Sequence, residues 1–372
     1  MLKFFTKKKT ESIPDHPGED WKEYQEILQK SSHFNAKIQP KKAVIRYEDP
    51  ADFHRYFYTF VKFLSLAGYT VYFPDFDFNF FKEKVYQKHQ ESWNYYNLVY
   101  KEGLLVFGAQ PKKKKVDIDI DLGQLDANFF KPYFMEMNSE FIHIPMSLHP
   151  QFYHLNLWNT PLDQTKTRRK SVFMVGNFTR EHYSGFEKTP FQMPSRVQVV
   201  DHLANKNLVA PIDNTDQLST FLSSESDHQC IILDSKKTPV PIQELRQRLN
   251  QFYFYLVLPG VIMPFSHNVI ECLSAGTIPI IHKEYANLFT PQLTHLETAL
   301  IFEDLEDLEN KIHEAYQMDR TQLDQMVLNI EKYYSNYLTP EKVVELIENN
   351  PGKKIFLQAE HLSVKKLEES LA

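Results

Sequence analysis

Short apolar runs alternate with helix-patterned stretches along most of the chain, and this alternation restricts the fold more than any other feature. Ala43-Val44-Ile45-Arg46-Tyr47 is β-rich, and Asp49-Pro50 then opens a helix with Phe53, Phe57, Phe60, Val61 and Leu64 at helical spacing. Gly68 stops that helix and Thr70-Val71-Tyr72-Phe73 resumes strand character. Two strands joined through a helix run parallel, because only a long crossover returns the chain to the same end of the sheet. A helix over about 80–101 follows, then strands near 104–107 and 116–120, and Phe141-Ile142-His143-Ile144-Pro145 reads as the last strand of this half.

Between 156 and 170 the composition changes to polar residues, Pro161 and the basic run Arg168-Arg169-Lys170, as in an interdomain linker. The alternation then restarts. Strands are expected at 171–176, 230–234, 253–258, 278–281 and near 300–302, with helices at 196–205, 241–252 and 268–275 and several more in the tail from 303. The predicted fold class is α/β: two Rossmann-like, doubly wound domains facing a cleft, with a helical C-terminal tail. The expected boundaries are a polar N-terminal appendage over 1–38, domains over 39–160 and 168–335, and the tail over 336–372.

Composition narrows the function. The chain has 372 residues, enough for two domains, and 42 basic against 48 acidic residues give a net charge of −6. No overall basic field draws it to nucleic acid. Lys7 to Lys9 and Lys112 to Lys115 read as solvated loop charges. Cys230 and Cys272 are too few for a disulfide framework or a zinc cluster. The N-terminal stretch lacks the apolar core of a signal peptide, and no apolar run approaches the roughly 18 residues of a membrane span. The expectation is a cytoplasmic protein, compatible with peripheral contact at the inner face of a membrane. None of the ten glycines forms a GxGxxG, which excludes a glycine-fingerprint dehydrogenase.

The most informative stretch runs from Tyr255 to Ile281: a buried strand, the turn Pro259-Gly260, a loop, a helix opening at Ser266 or His267, a stop at Gly276 and a second buried strand. Ser266 suits an N-cap, and the first N–H groups of the helix, including those at His267 and Asn268, point outward with the positive end of its dipole. Such a start accepts phosphate oxygens. Glu271 lies four residues after His267, on the same helix face, where a carboxylate can accept both hydroxyls of a ribose. A surface pair between His267 and Glu271 is the alternative.

Glu271-Cys272-Leu273-Ser274-Ala275-Gly276-Thr277-Ile278-Pro279-Ile280-Ile281 resembles the nucleotide-sugar-binding segment of glycosyltransferases with the two-domain GT-B fold. It is most similar to exostosin-like and related bacterial capsule or lipopolysaccharide glycosyltransferases. Arg168 to Arg180, with its basic lead-in, strand and Gly176-Asn177 turn, is similar to the opening of the donor domain in that family. The resemblance implies that Glu271 binds the donor ribose and that Gly260, Ser266, His267 and Asn268 hold the donor phosphates. It also implies that no divalent metal or other cofactor is needed, and that the acceptor is a glycan or a lipid-linked sugar. Many retaining members carry a second Glu eight positions before the ribose-binding one. Met263 stands there, which favours inversion, with His267 as the substitute donor to phosphate or sugar.

An inverting transfer needs a base for the acceptor hydroxyl and a cation or dipole for the leaving phosphate. Arg180, Lys236 and the helix start at Ser266 are the candidates for the phosphate. Glu48 and Asp49 after the first strand, His143 at the last strand of the first half, and Asp234 at a strand end of the second half are the candidates for the base. Asp49 before Pro50 is equally a helix cap. Asp117, Asp119 and Asp121 alternate along one face of a strand, as on a solvated edge. The clusters Phe76 to Phe81 and Phe252 to Tyr255 read as core. A noncatalytic nucleotide- or glycan-binding protein and a sugar-nucleotide epimerase of the same fold are the rival functions.

Overall fold

In the computed structural model, whose described residues are 18–30, 38–47, 53–82, 90–111, 116–163, 165 and 167–372, the chain forms two units. The first takes in Met1–Ala127, Ser139–Ile142 and Val344–Ala359; the second takes in Asn128–Asn138, His143–Val343 and Glu360–Ala372.

The first unit is built on β1 (Lys41–Ile45), β2 (Tyr69–Phe73), β3 (Leu105–Phe107) and β4 (Ile118–Ile120). These form a parallel sheet in the order β3-β2-β1-β4. The crossover between β1 and β2 is the helix His54–Leu66, which buries Phe57, Phe60, Val61 and Leu64 at the predicted spacing. Aromatic rings fill this core: Tyr47 stacks on Phe73 at 5.0 Å, and Phe57 stacks on Tyr96 at 4.9 Å. Phe76, Phe80 and Phe81 are core, as expected. β4 lies at the sheet edge with Ile118 and Ile120 buried and Asp119 exposed. Arg46 pairs with Asp119, and Asp117 accepts the Lys42 N–H at 2.9 Å.

Two expectations for this unit are corrected. The helix Glu19–Lys30, placed in the polar appendage, buries Tyr24 completely, with its ring 5.7 Å from that of Phe76. Of the helix expected over about 80–101, residues 80–82 and Gln90–Lys101 are helical, and 83–89 lie outside the described residues. The strand expected last in this half is β6 (Phe141–His143), which joins a separate sheet in the order β5-β12-β6. There β5 is Leu125–Asp126 and β12 is Lys354–Phe356, from the tail read as helical. β5 pairs with β12 in parallel, so residues 344–359 belong to the first unit rather than to a free-standing tail.

The second unit holds β7 (Arg169–Gly176), β8 (Cys230–Asp234), β9 (Phe252–Leu256), β10 (Ile278–His282) and β11 (Leu300–Phe302). All pair in parallel in the order β11-β10-β9-β7-β8. β9 and β10 are buried over their whole length, as expected of central strands covered by helices on both faces. The chain runs from β7 outward to β8, then returns to β9 on the other side. The order therefore reverses between β7 and β9, which is where open α/β sheets hold ligands.

The expected linker is a fastened segment of this unit. Arg246 donates to the carbonyls of Leu157 and Thr160, at 3.3 and 2.8 Å, and Asn250 donates to that of Asp163 at 2.8 Å. The basic run is spent on helix ends. Arg168 donates to Ala275 O and Gly276 O, Arg169 to Leu222 O and Ser224 O, and Lys170 to Met318 O. Cationic side chains on terminal carbonyls offset the negative end of each helix dipole. Among the described residues no helix is long and apolar enough to cross a membrane.

Candidate functional site

The carboxyl ends of β7 and β9 lead into two turns that diverge at the point of reversal. After β9, Gly260 approaches the backbone of its own loop: a Cβ there would lie 2.8 Å from Met263 O and 3.2 Å from Phe265 O, so only glycine fits. That loop delivers the helix His267–Ser274, whose N-cap is Ser266. The Ser266 side chain makes no capping bond, and its N–H donates to the hydroxyl of the buried Tyr285 at 2.8 Å. The first-turn N–H group of Asn268 has no partner within the helix itself. Gly276, in the left-handed region at φ 63°, ends the helix and turns the chain into β10.

Glu271 is 8 % exposed, and among the described residues its carboxylate accepts no hydrogen bond. Burial pushes its pKa up to about 7. Asn268, one turn earlier, is 9 % exposed and its Oδ1 also lacks a partner. A buried polar group without a partner carries a desolvation cost that the fold does not recover. The Tyr255 hydroxyl, donating to Val175 O at 3.1 Å, is raised first by burial and then by the Glu271 charge, and Arg196 opposes the shift.

Arg196 was missed in the sequence. It is the first residue of the helix Arg196–Asn205, which a capping box fixes: Gln198 N–H donates to Ser195 Oγ, and Ser195 N–H donates to Gln198 Oε1. Its guanidinium is 4 % exposed and spans the two diverging turns, donating to Asn177 O at 3.0 Å and to Pro259 O at 2.9 Å. The Tyr183 ring covers it at 4.2 Å, and a Cβ at Gly176 would lie 3.0 Å from Nη1. Desolvation lowers its pKa, and only the tyrosines 183, 255 and 285 offset this, so no carboxylate among the described residues neutralises the charge. One signal was legible: an arginine at the first helical position opposes the dipole, where acidic residues are favoured.

The remaining predicted residues divide. Gly176, Asn177, Gly260, Ser266, His267, Asn268 and Glu271 all sit on the two turns or on the helix they deliver. The Asn177 side chain accepts the N–H and hydroxyl of Thr179, at 2.9 and 2.6 Å, so its backbone carbonyl is what meets Arg196. His267 Nδ1 donates to Ser147 O at 3.0 Å, which fixes its ring. Arg180 is held by Asp201 through two bonds of 2.8 and 2.5 Å on an exposed surface. Lys236 donates to Thr179 Oγ1 at 2.6 Å. Asp234, level with Gly176 across β8 and β7, accepts the Lys236 N–H at 3.0 Å and shapes its own turn.

His143 is held in place: its Nε2 donates to Phe129 O at 2.9 Å, its ring stacks on Tyr133 at 4.8 Å, and burial lowers its pKa to about 4. Glu48 and Asp49 lie outside the described residues. Among the described residues no group of three His, Cys, Asp or Glu side chains could hold a metal ion. The site therefore offers an uncompensated cation, an outward N–H group and one buried carboxylate, a set that suits an anion joined to a hydroxylated ring. No protein-family model and no curated protein matches the chain.

Proposed function

We propose that this chain is an inverting, metal-independent glycosyltransferase that moves a sugar from a nucleotide-activated donor to a glycan or lipid-linked acceptor in bacterial surface-polysaccharide synthesis. The observation that carries the reading is Glu271, more than nine-tenths buried and without a hydrogen-bond partner among the described residues, one turn into a helix that starts at the sheet's point of reversal. In this reading two ribose hydroxyls donate to Glu271, and Arg196 with the Asn268 N–H group takes the phosphates. As the glycosidic bond breaks, charge builds on the leaving phosphate, and a preorganised guanidinium and helix start stabilise it there. A carboxylate among Glu48, Asp49 and Asp234 accepts the proton of the attacking hydroxyl.

Release of free nucleotide from a panel of UDP-, GDP- and CMP-sugars tests this reading. One donor is expected to be turned over slowly by wild type without acceptor and faster with one, and Glu271→Ala is expected to be inactive. Conversion of the donor to an isomeric nucleotide sugar without release would identify an epimerase instead. Binding without either reaction would leave a noncatalytic nucleotide-binding protein.

A further inference from the structure

A cavity of about 380 Å³ opens in the second unit, lined in part by Tyr133, Phe134, Phe191, Gln192, Glu284 and Asn287. Its volume falls within the range of small-ligand sites, about 300–1,000 Å³. The aromatic side is rigid at its base and open at its mouth. Phe191 is buried, held edge-on by Phe130 at 4.8 Å and Phe134 at 5.7 Å, whereas Phe134 itself is 38 % exposed. The polar side faces solvent at its edge: Gln192 and Asn287 are exposed and Glu284 is half-buried, and among the described residues their side chains make no hydrogen bond to protein. Gln192 also holds φ at 50°, a left-handed conformation that non-glycine residues adopt rarely and that gathers at ligand clamps.

Charge selects the ligand class. None of the residues lining the cavity is cationic, and its one ionisable acid is the Glu284 carboxylate, so a phosphate or another anion is disfavoured. A sugar ring has the matching two-sidedness. Its C–H face packs on an aromatic surface, and its hydroxyls donate to a carboxylate and exchange hydrogen bonds with carboxamides. The cavity also shares an element with the strand-end site, because Glu284 precedes Tyr285 on the short helix Lys283–Ala286, and Tyr285 accepts the Ser266 N–H.

We propose that this cavity binds a neutral, hydroxyl-rich pyranose ring. The inference goes beyond the donor reading, since such binding needs neither nucleotide nor turnover. Saturation-transfer NMR titrations of the full chain, without nucleotide, test it with the methyl glycosides of glucose, galactose, mannose and N-acetylglucosamine, and with uridine as the competing base-bearing probe. At least one glycoside is expected to bind with a Kd on the order of 1–10 mM, with the strongest saturation on the protons of one ring face. Phe134→Ala or Glu284→Gln is expected to weaken it about tenfold while thermal unfolding stays unchanged. The proposal is overturned if no glycoside binds up to about 100 mM, if both variants bind as wild type does, or if uridine displaces the glycoside.

Discussion

Glu271→Gln is expected to stabilise the ligand-free protein in mildly alkaline buffer and to leave it unchanged in acid. The carboxyl sits at about 7 in the folded chain against 4.5 for an unperturbed glutamate. Between those values the folded state binds more protons than the unfolded one, so stability falls as pH rises through the window from about 4.5 to 7. At about 1.4 kcal/mol per pH unit, the loss above pH 7 approaches about 3.5 kcal/mol. The amide that Glu271→Gln introduces has nearly the same shape and no charge to desolvate, so it escapes that loss. For a domain of this size, each kcal/mol moves the midpoint by about 2–4 °C. Thermal unfolding followed by circular dichroism from pH 4.5 to 8.5 should show the two proteins together at the acid end and the variant about 7–14 °C higher at pH 8. A midpoint difference that does not change with pH would refute the reasoning. Ligand affinity should move the other way, because hydroxyls donating to Glu271 favour its ionised form, so nucleotide binding weakens as pH falls below about 7.

Arg196→Met should raise the Kd for a nucleoside diphosphate at least about tenfold in calorimetric titrations, by removing a charge-assisted contact. Arg180→Ala should leave both affinity and thermal midpoint essentially unchanged, since that arginine is exposed and engaged with Asp201. Ending the chain after Val343 removes β12, the middle strand of the β5-β12-β6 sheet. The first unit should then lose its cooperative unfolding, whereas a dispensable tail would leave it intact.

Much of the second unit was legible because its strands are covered on both faces and read as unbroken apolar runs, as in Phe252–Leu256 and Ile278–His282. The turns that carry the site were legible through Gly260 and Gly276, each placed by a steric demand that no other residue meets well. β12 was not, because three strand residues inside a helix-rich tail leave no periodicity to detect, although Pro351-Gly352 announced a turn just before them. The fastened segment near residue 160 has the polarity of a linker, since composition does not reveal that Arg168, Arg169 and Lys170 spend their charge on helix carbonyls. Arg196 was overlooked for a related reason. Its role depends on two carbonyls, of Asn177 and Pro259, that the fold alone brings within reach of one guanidinium.

Thermal unfolding of wild type and Glu271→Ala, each with UDP, GDP, CMP and ADP at saturating concentration, tests the donor site most directly. One nucleotide should raise the wild-type midpoint, by an amount that grows with concentration, and should leave Glu271→Ala unmoved. If no nucleotide shifts wild type, or if the same nucleotide shifts both proteins equally, Glu271 does not hold a donor ribose.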